Sequence, residues 1–260
     1  MRQEKFRHVC LLLISFYLKV ISCYDHENCN PAKASSCGKG PQVRHPFYIK
    51  NKEDETSCGY PGFNVSCNDD NQPILRFQDA FFVIREINPD ASFVRIVRDV
   101  FSNLKHDSCV PPIHQTVSFG REFRLSGNQS DVIMCYSCDS SARYKEITVP
   151  FTSCSGEGIG DIRRKNFAVF NAADSAMKGC ESVVRVPVDI GEGDERKVGF
   201  DELLSRGFRL NWSDHFNCTL CQQNGGHCGT DYETRRLGCF CNDGVAFSVC
   251  PPPPLVVKND

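Results

Sequence analysis

Residues 73–100 read PILRFQDAFFVIREINPDASFVRIVRDV. Pro73 to Ile87 and Ser92 to Val100 are two runs rich in β-branched and aromatic residues, and Asn88-Pro89-Asp90 between them is a turn signal. In the second run Val94, Ile96 and Val100 fall on one strand face, with Arg98 interrupting it. The pattern predicts a sheet with one packed side and one wet side. The fold class expected from this stretch outward is β-rich, with short helices and small, disulfide-stapled domains.

The staples are the 17 cysteines of the 260-residue chain. Arg2, Lys5, Arg7 and His8 form a basic lead-in to the apolar run Val9 to Ile21, which Lys19 interrupts and which ends in the small residues Ser22 and Cys23. That layout predicts a signal peptide over residues 1–23, too short to span a bilayer, which takes roughly 20 apolar residues. Export places the remaining cysteines in an oxidising compartment, where they are read as disulfides first. Four sequons point the same way, at Asn64, Asn128, Asn211 and Asn217. A formal charge of -2 gives no global field for nucleic acid. Pro251 to Pro254 begin a stiff, extended tail over residues 251–260. As written, the mature product is expected to be secreted, with no transmembrane segment.

Residues 29–110 form a first module, with Cys29, Cys37, Cys58 and Cys67 in turn-rich sequence. Residues 111–250 form a second, with strand signals at Val132 to Ser137 and Ser182 to Val188 and a mixed stretch, Asn166 to Lys178, that reads as helical. Asp201 as N-cap and Gly207 as C′ residue frame a short helix. The cluster at 218–250 has the spacing Cys218-x2-Cys221-x6-Cys228-x10-Cys239-x-Cys241-x8-Cys250. So short a segment encloses little core, so bridges must replace it. Six cysteines permit 15 pairings. Cys135/Cys138 and Cys218/Cys221 also have the C-x2-C spacing of zinc sites, but zinc needs sets of thiolates that an oxidising compartment removes. No metal and no other cofactor is expected.

Cys37-Gly38, His45-Pro46-Phe47 and Cys58-Gly59-Tyr60-Pro61-Gly62-Phe63-Asn64-Val65-Ser66-Cys67 together resemble the galacturonan-binding extracellular domain of plant wall-associated-kinase-like receptors. Gly207 to Trp212 and the tail GG-x-CG…C-x-C-x-DG resemble the C-terminal partner domain, as in the leaf-rust-resistance-locus group of receptor-like kinases. His45 stands where the family has tyrosine, and the family's membrane helix and kinase domain have no counterpart here. The tail also resembles an EGF-like module, which implies Cys218–Cys228, Cys221–Cys239 and Cys241–Cys250. Cys109, Cys138, Cys154 and Cys180 complete the set expected in bridges. If residues 1–23 leave, Cys10 and Cys23 go with them, and 17 − 2 = 15 cysteines remain, an odd number. By the resemblance Cys138 ends a family strand and Cys135 replaces an apolar residue. Three positions apart on a strand, these two should face opposite ways and not bridge each other. Cys135 reads as a buried thiol acting as a small hydrophobe, with intermolecular pairing or pairing with a retained Cys23 as alternatives.

The resemblance implies an acidic wall polysaccharide, pectin or oligogalacturonide, as partner, in the apoplast or at the plasma membrane of a receptor. Such a ligand requires cations for its carboxylates and flat apolar surfaces for its rings. Lys33, Lys39, Arg44, Lys50 and Lys52 lie between Asn28 and Lys52 with no acid among them, and His45, Phe47 and Tyr48 are interspersed. Arg44, His45, Tyr48, Lys50 and Lys52 are therefore the candidate ligand residues. Arg44 leads, because guanidinium grips carboxylate with two parallel hydrogen bonds. Glu53-Asp54-Glu55 follow and oppose the field, and Phe47 and Phe63 read as core. No catalytic residue is expected: Ser155 to Gly160 only superficially follows a phosphate loop, and kinase, HExxH and GxSxG motifs are absent. The alternative to sugar binding is a protein-interaction module, a decoy or co-receptor fragment engaging a peptide or receptor partner through the cysteine-rich tail.

Overall fold

The computed structural model describes residues 35–49, 59–60, 62–105, 108–127, 129–139, 148–154, 164–170, 179–190, 198–213, 218–230, 237–241, 244–246 and 249–250. The signal-peptide region, Lys33, Lys50, Lys52, Cys29, Cys58, Asn128, Asn217, the Ser155–Gly160 loop and the proline tail lie outside the described residues. Described residues from 35 to 213 belong to one compact unit, and those from 218 to 250 to another.

The first unit is built on a seven-stranded sheet. Six strands come in sequence: β1 (Tyr48–Ile49), β2 (Asn64–Cys67), β3 (Pro73–Phe77), β4 (Ala80–Asn88), β5 (Phe93–Arg98) and β6 (Phe123–Leu125). Pro73 to Ile87 is thus a hairpin rather than one run. Its two-residue turn is Gln78-Asp79, with Gln78 at φ 54°, and Phe77 pairs with Ala80. Asn88 to Ser92 makes the second turn as expected, with the Ala91 amide donating to Asn88 Oδ1 at 3.0 Å. The seventh strand, Phe208–Trp212 (β11 in chain order), enters from 208 − 125 = 83 residues after β6, and the order is β1-β2-β3-β4-β5-β11-β6. It pairs antiparallel with β5 (Phe208 opposite Ile96, Leu210 opposite Val94) and with β6 (Trp212 opposite Phe123).

A second, antiparallel sheet holds β7 (Gln129–Asp139), β8 (Thr148–Pro150), β9 (Arg164–Phe170) and β10 (Ser182–Asp189), in the order β10-β7-β9-β8. β9 takes up the first part of the stretch expected to be helical. Its pairing with β7, such as Ala168 opposite Met134, overrides weak local propensity. The helix α1 (Phe200–Arg206) forms where expected, with Gly199 rather than Asp201 at its N-cap; Asp201 and Glu202 lie in its first turn.

Both faces of the first sheet are packed, which corrects the expectation of a wet side. Ile74, Val83 and Val97 meet Val132, Met134, Ala168 and Val184 of the second sheet and Leu203 and Leu204 of α1. The opposite face presents Leu75, Phe82, Ile84, Val94, Ile96, Phe208 and Leu210 to Val43, Phe47, Phe63 and Phe123. Val94 and Ile96 share a face as expected. Val100 does not join them, because the chain leaves β5 for a 3-10 turn over Asp99–Phe101 and Val100 stays exposed. Across the sheets, Asp189 is buried and takes Arg95 Nη1 at 2.8 Å and Arg209 Nε at 3.2 Å, tying β10 to β5 and β11.

Disulfides join Cys37–Cys67, Cys109–Cys154 and Cys138–Cys180 in this unit. Cys135 and Cys138 do not bridge each other, as expected, but the expectation that they face apart fails. A register shift between them, with Ser137 at φ 50°, breaks strand alternation, and both sulfurs join one cluster with Ile133, Phe167 and Val169. Cys135 keeps its thiol, and burial pushes it up to about 11. It packs as the small hydrophobe expected of it.

The second unit has α2 (Cys218–Gln223) and a three-stranded sheet of β12 (His227–Thr230), β13 (Leu237–Cys241) and β14 (Gly244–Ala246). Cys221–Cys239 and Cys241–Cys250 are bridged, as the EGF-like resemblance implied, and Cys228 is also disulfide-bonded.

Gly207 makes the entry of β11 possible. It sits at φ 72°, ψ −156°, and a Cβ built there would lie 2.0 Å from the Ile96 carbonyl oxygen. That backbone region belongs essentially to glycine. Gly207→Ala is expected to cost about 3 kcal/mol or more in urea unfolding, whereas Gly127→Ala, which meets nothing within 4 Å, leaves the midpoint nearly unchanged. Equal midpoints would contradict this packing. Removing Cys109–Cys154, which closes a 45-residue separation, as the double serine variant should cost about 2–4 kcal/mol in the same assay.

Candidate functional site

The described part of the basic stretch runs over the edge of the first sheet. Val43 donates its amide to Ser35 O, Phe47 N to Arg44 O at 2.9 Å, and Tyr60 N to Pro46 O, so residues 43–48 form a tight turn held against residues 59–63. The His45-Pro46 peptide is cis. Phe47 anchors the turn: its ring is 5.1 Å from Phe63 and 5.2 Å from Trp212, edge to face in both cases. Phe47 and Phe63 are core residues, as expected.

That anchoring sorts the candidate residues. Arg44 is exposed, and its Nη2 donates to Gln42 Oε1 at 2.8 Å, which leaves the guanidinium at the surface. Tyr48 is half-buried and lies on Gly59, where an added Cβ would come within 1.8 Å of its Cδ1. The glycine of the Cys58-Gly59 pair is therefore a contact surface for Tyr48, and that ring face is occupied. Burial lowers the His45 imidazole to about 4. It is neutral above pH 5 and adds no cation to the surface. Arg44 is thus brought beside His45 and Tyr48, but only Arg44 offers charge. Among the sequons within the described residues, Asn64 and Asn211 are both exposed.

The sequence reading missed a second feature. A cleft of about 320 Å³ opens between the β4 start, the β5 end and the strap at residues 112–115. Its lining includes Phe81, Arg98, Val100, Ile113 and His114. Arg98 is half-buried, its Nη1 donates to Gln115 O at 3.2 Å, and burial pushes its guanidinium below the ordinary range. The one visible sign was Arg98 breaking an apolar strand face.

Two sulfur clusters, Cys135/Cys138/Cys180 and Cys239/Cys241/Cys250, have metal-like proximity. All but Cys135 are in disulfides, so neither supplies a thiolate set for zinc. No helix among the described residues is long and apolar enough to cross a membrane.

His45 gives the turn a pH signature. Its folded value of about 4 lies below the ordinary 6.5, so the unfolded chain binds the extra proton between these limits. Stability is full above about pH 6.5 and falls, by on the order of 2–3 kcal/mol, as pH drops through that window. Thermal midpoints across pH 4–7 should show this slope in the wild type and a shallower one in His45→Gln. Parallel curves would rule out the buried imidazole as the cause.

Comparison with known proteins identifies two matched regions of the chain. Residues 29–98 match the family model described as wall-associated receptor kinase galacturonan-binding, and residues 153–244 the one described as wall-associated receptor kinase C-terminal. Leaf rust 10 disease-resistance locus receptor-like protein kinase-like 1.2 of Arabidopsis thaliana is 31% identical over 83% of this chain and 32% of its own length. The like 2.1 protein of the same plant is 24% identical over 86% of this chain and 35% of its own. The chain thus spans about a third of the length of these curated relatives. No solved structure matches. The chain belongs to the wall-associated-receptor-kinase ectodomain family, carrying its galacturonan-binding and C-terminal domains in order and homologous over most of its length to these receptor-like kinases.

Proposed function

We propose that this chain is an extracellular, non-catalytic binder of acidic wall polysaccharide, serving cell-wall sensing or defence as the ectodomain of a receptor-like kinase or a soluble paralogue of one. The observation that carries the reading is the match of residues 29–98 to a galacturonan-binding family model. The fold supports it in a specific way. The turn bearing Arg44 is fixed by the Phe47–Phe63–Trp212 cluster, so the cation is presented from a rigid base. A guanidinium held in this way meets a carboxylate with little ordering cost. The cystine content and the two exposed sequons suit an oxidising, extracellular setting.

Calorimetric titration of the full oxidised chain with de-esterified oligogalacturonides tests this. Saturable binding is expected, and it should weaken as salt rises from 20 to 200 mM because exposed charges are screened beyond a Debye length of about 10 Å at 0.1 M. Arg44→Ala combined with Lys50→Ala should weaken it further, and neutral glucan and xylan oligomers should not bind. Failure of every sugar to bind a folded, fully oxidised sample would overturn the proposal.

A further inference from the structure

The cleft between β4, β5 and the 112–115 strap has no role in the account so far. We propose that it is a subsite for one carboxylate-bearing sugar ring, a single uronate of an acidic polysaccharide, with Arg98 taking the carboxylate and Phe81 facing the ring. This rests on the polysaccharide reading above and adds a place and a residue to it.

Four observations converge. The volume, about 320 Å³, is near the lower end of ligand pockets and suits a small ring rather than a folded partner. Phe81 and Val100 are each 45% exposed although both are large and apolar, and they line the same cleft. Arg76, in an exposed ion pair with Asp79 at 3.3 Å, sits over one face of the Phe81 ring at 5.7 Å, so a ligand would use the remaining exposed ring surface. An exposed aromatic ring on a rigid strand gives a sugar's C–H face an apolar surface to lie on.

Arg98 supplies the charge selectivity. A guanidinium has five N–H donors. Among the described residues its hydrogen bond goes to the Gln115 carbonyl and no acid pairs with it, although it is half-buried. A partly desolvated cation without a counter-charge gains most from a carboxylate, which offers two oxygens to its fork. A neutral sugar would leave that charge unmatched. Asp79 is already tied to Arg76. Asp99 is exposed on the cleft wall and opposes any incoming anion, so its removal should strengthen binding. The same Asp99 disfavours densely charged ligands such as phosphate esters more than a single carboxylate.

The test is titration of the full oxidised chain with trigalacturonate, its neutral galactose counterpart and hexaglutamate, using wild type, Arg98→Gln, Arg98→Lys, Asp99→Asn and Phe81→Ala. Thermal melts check the fold of each. Arg98→Gln should weaken trigalacturonate about tenfold or more, and Arg98→Lys should keep part of the affinity. Phe81→Ala should weaken it, while Asp99→Asn should tighten it without creating affinity for the neutral trimer. Phe81 and Asp99 are surface residues, so their variants decide the matter even if Arg98→Gln misfolds. Wild-type binding unchanged in all four variants would overturn the cleft assignment and leave the polysaccharide reading intact. Absence of wild-type binding would overturn that reading and the cleft with it. Hexaglutamate binding as tightly, with the same Arg98 dependence, would overturn the sugar assignment in favour of an acidic peptide.

Discussion

The insertion of β11 between β5 and β6 is the constraint on which the first unit depends. Without Phe208–Trp212, β5 would expose an edge, β6 would have no neighbour, and the aromatic cluster would lose Phe208 and Trp212. Gly207 is the condition for this entry, because the chain passes the Ile96 carbonyl at a distance no side chain tolerates. Just beyond, Asp189 N donates to Gly207 O at 3.2 Å, and the Asp189 carboxylate holds Arg95 and Arg209. A buried acid shared by two arginines is costly to break from either side, since removal of one partner strands the other.

This insertion also joins what the family models separate. β2 to β5 lie within the galacturonan-binding match, and β11 lies within the C-terminal match. One sheet draws strands from both. The turn carrying Arg44 rests on Phe47, and Phe47 rests on Trp212. The surface proposed to bind sugar is therefore supported by the later domain, and the two matched regions act as one body within this unit. Arg98 ends β5 two residues beyond the last pair with the inserted strand, Ile96 opposite Phe208, and lies opposite Phe82 of β4.

Much of this was legible in the sequence. The β-branched and aromatic runs gave β3 to β5, and the Asn88-Pro89-Asp90 signal placed their second turn. Gly207 was visible as a helix stop, and it does end α1, but its larger role as the gate for β11 depends on Ile96 and could not be seen locally. The Gln78-Asp79 turn escaped because it lacks glycine and reaches positive φ with glutamine. The wet face was misassigned because alternation in FVRIVR shows apolar residues on both sides, and only the second sheet and α1 decide that Val97 is covered. Cys135 and Cys138 stay unbridged to each other, as expected, but they share a side because a bulge is invisible to period-two counting. Of the ligand candidates, Arg44 is exposed. His45 is neutralised by burial and Tyr48 is engaged by Gly59, both consequences of tertiary packing.

Hydrogen–deuterium exchange on the free, oxidised chain tests the central claim most directly. If β11 completes the sheet, amides of residues 93–98 and 208–212 should share the slowest exchange class and open together as denaturant is added. Fast exchange across 208–212 while 73–98 stay protected would mean that the first sheet stands without β11, and would contradict the account.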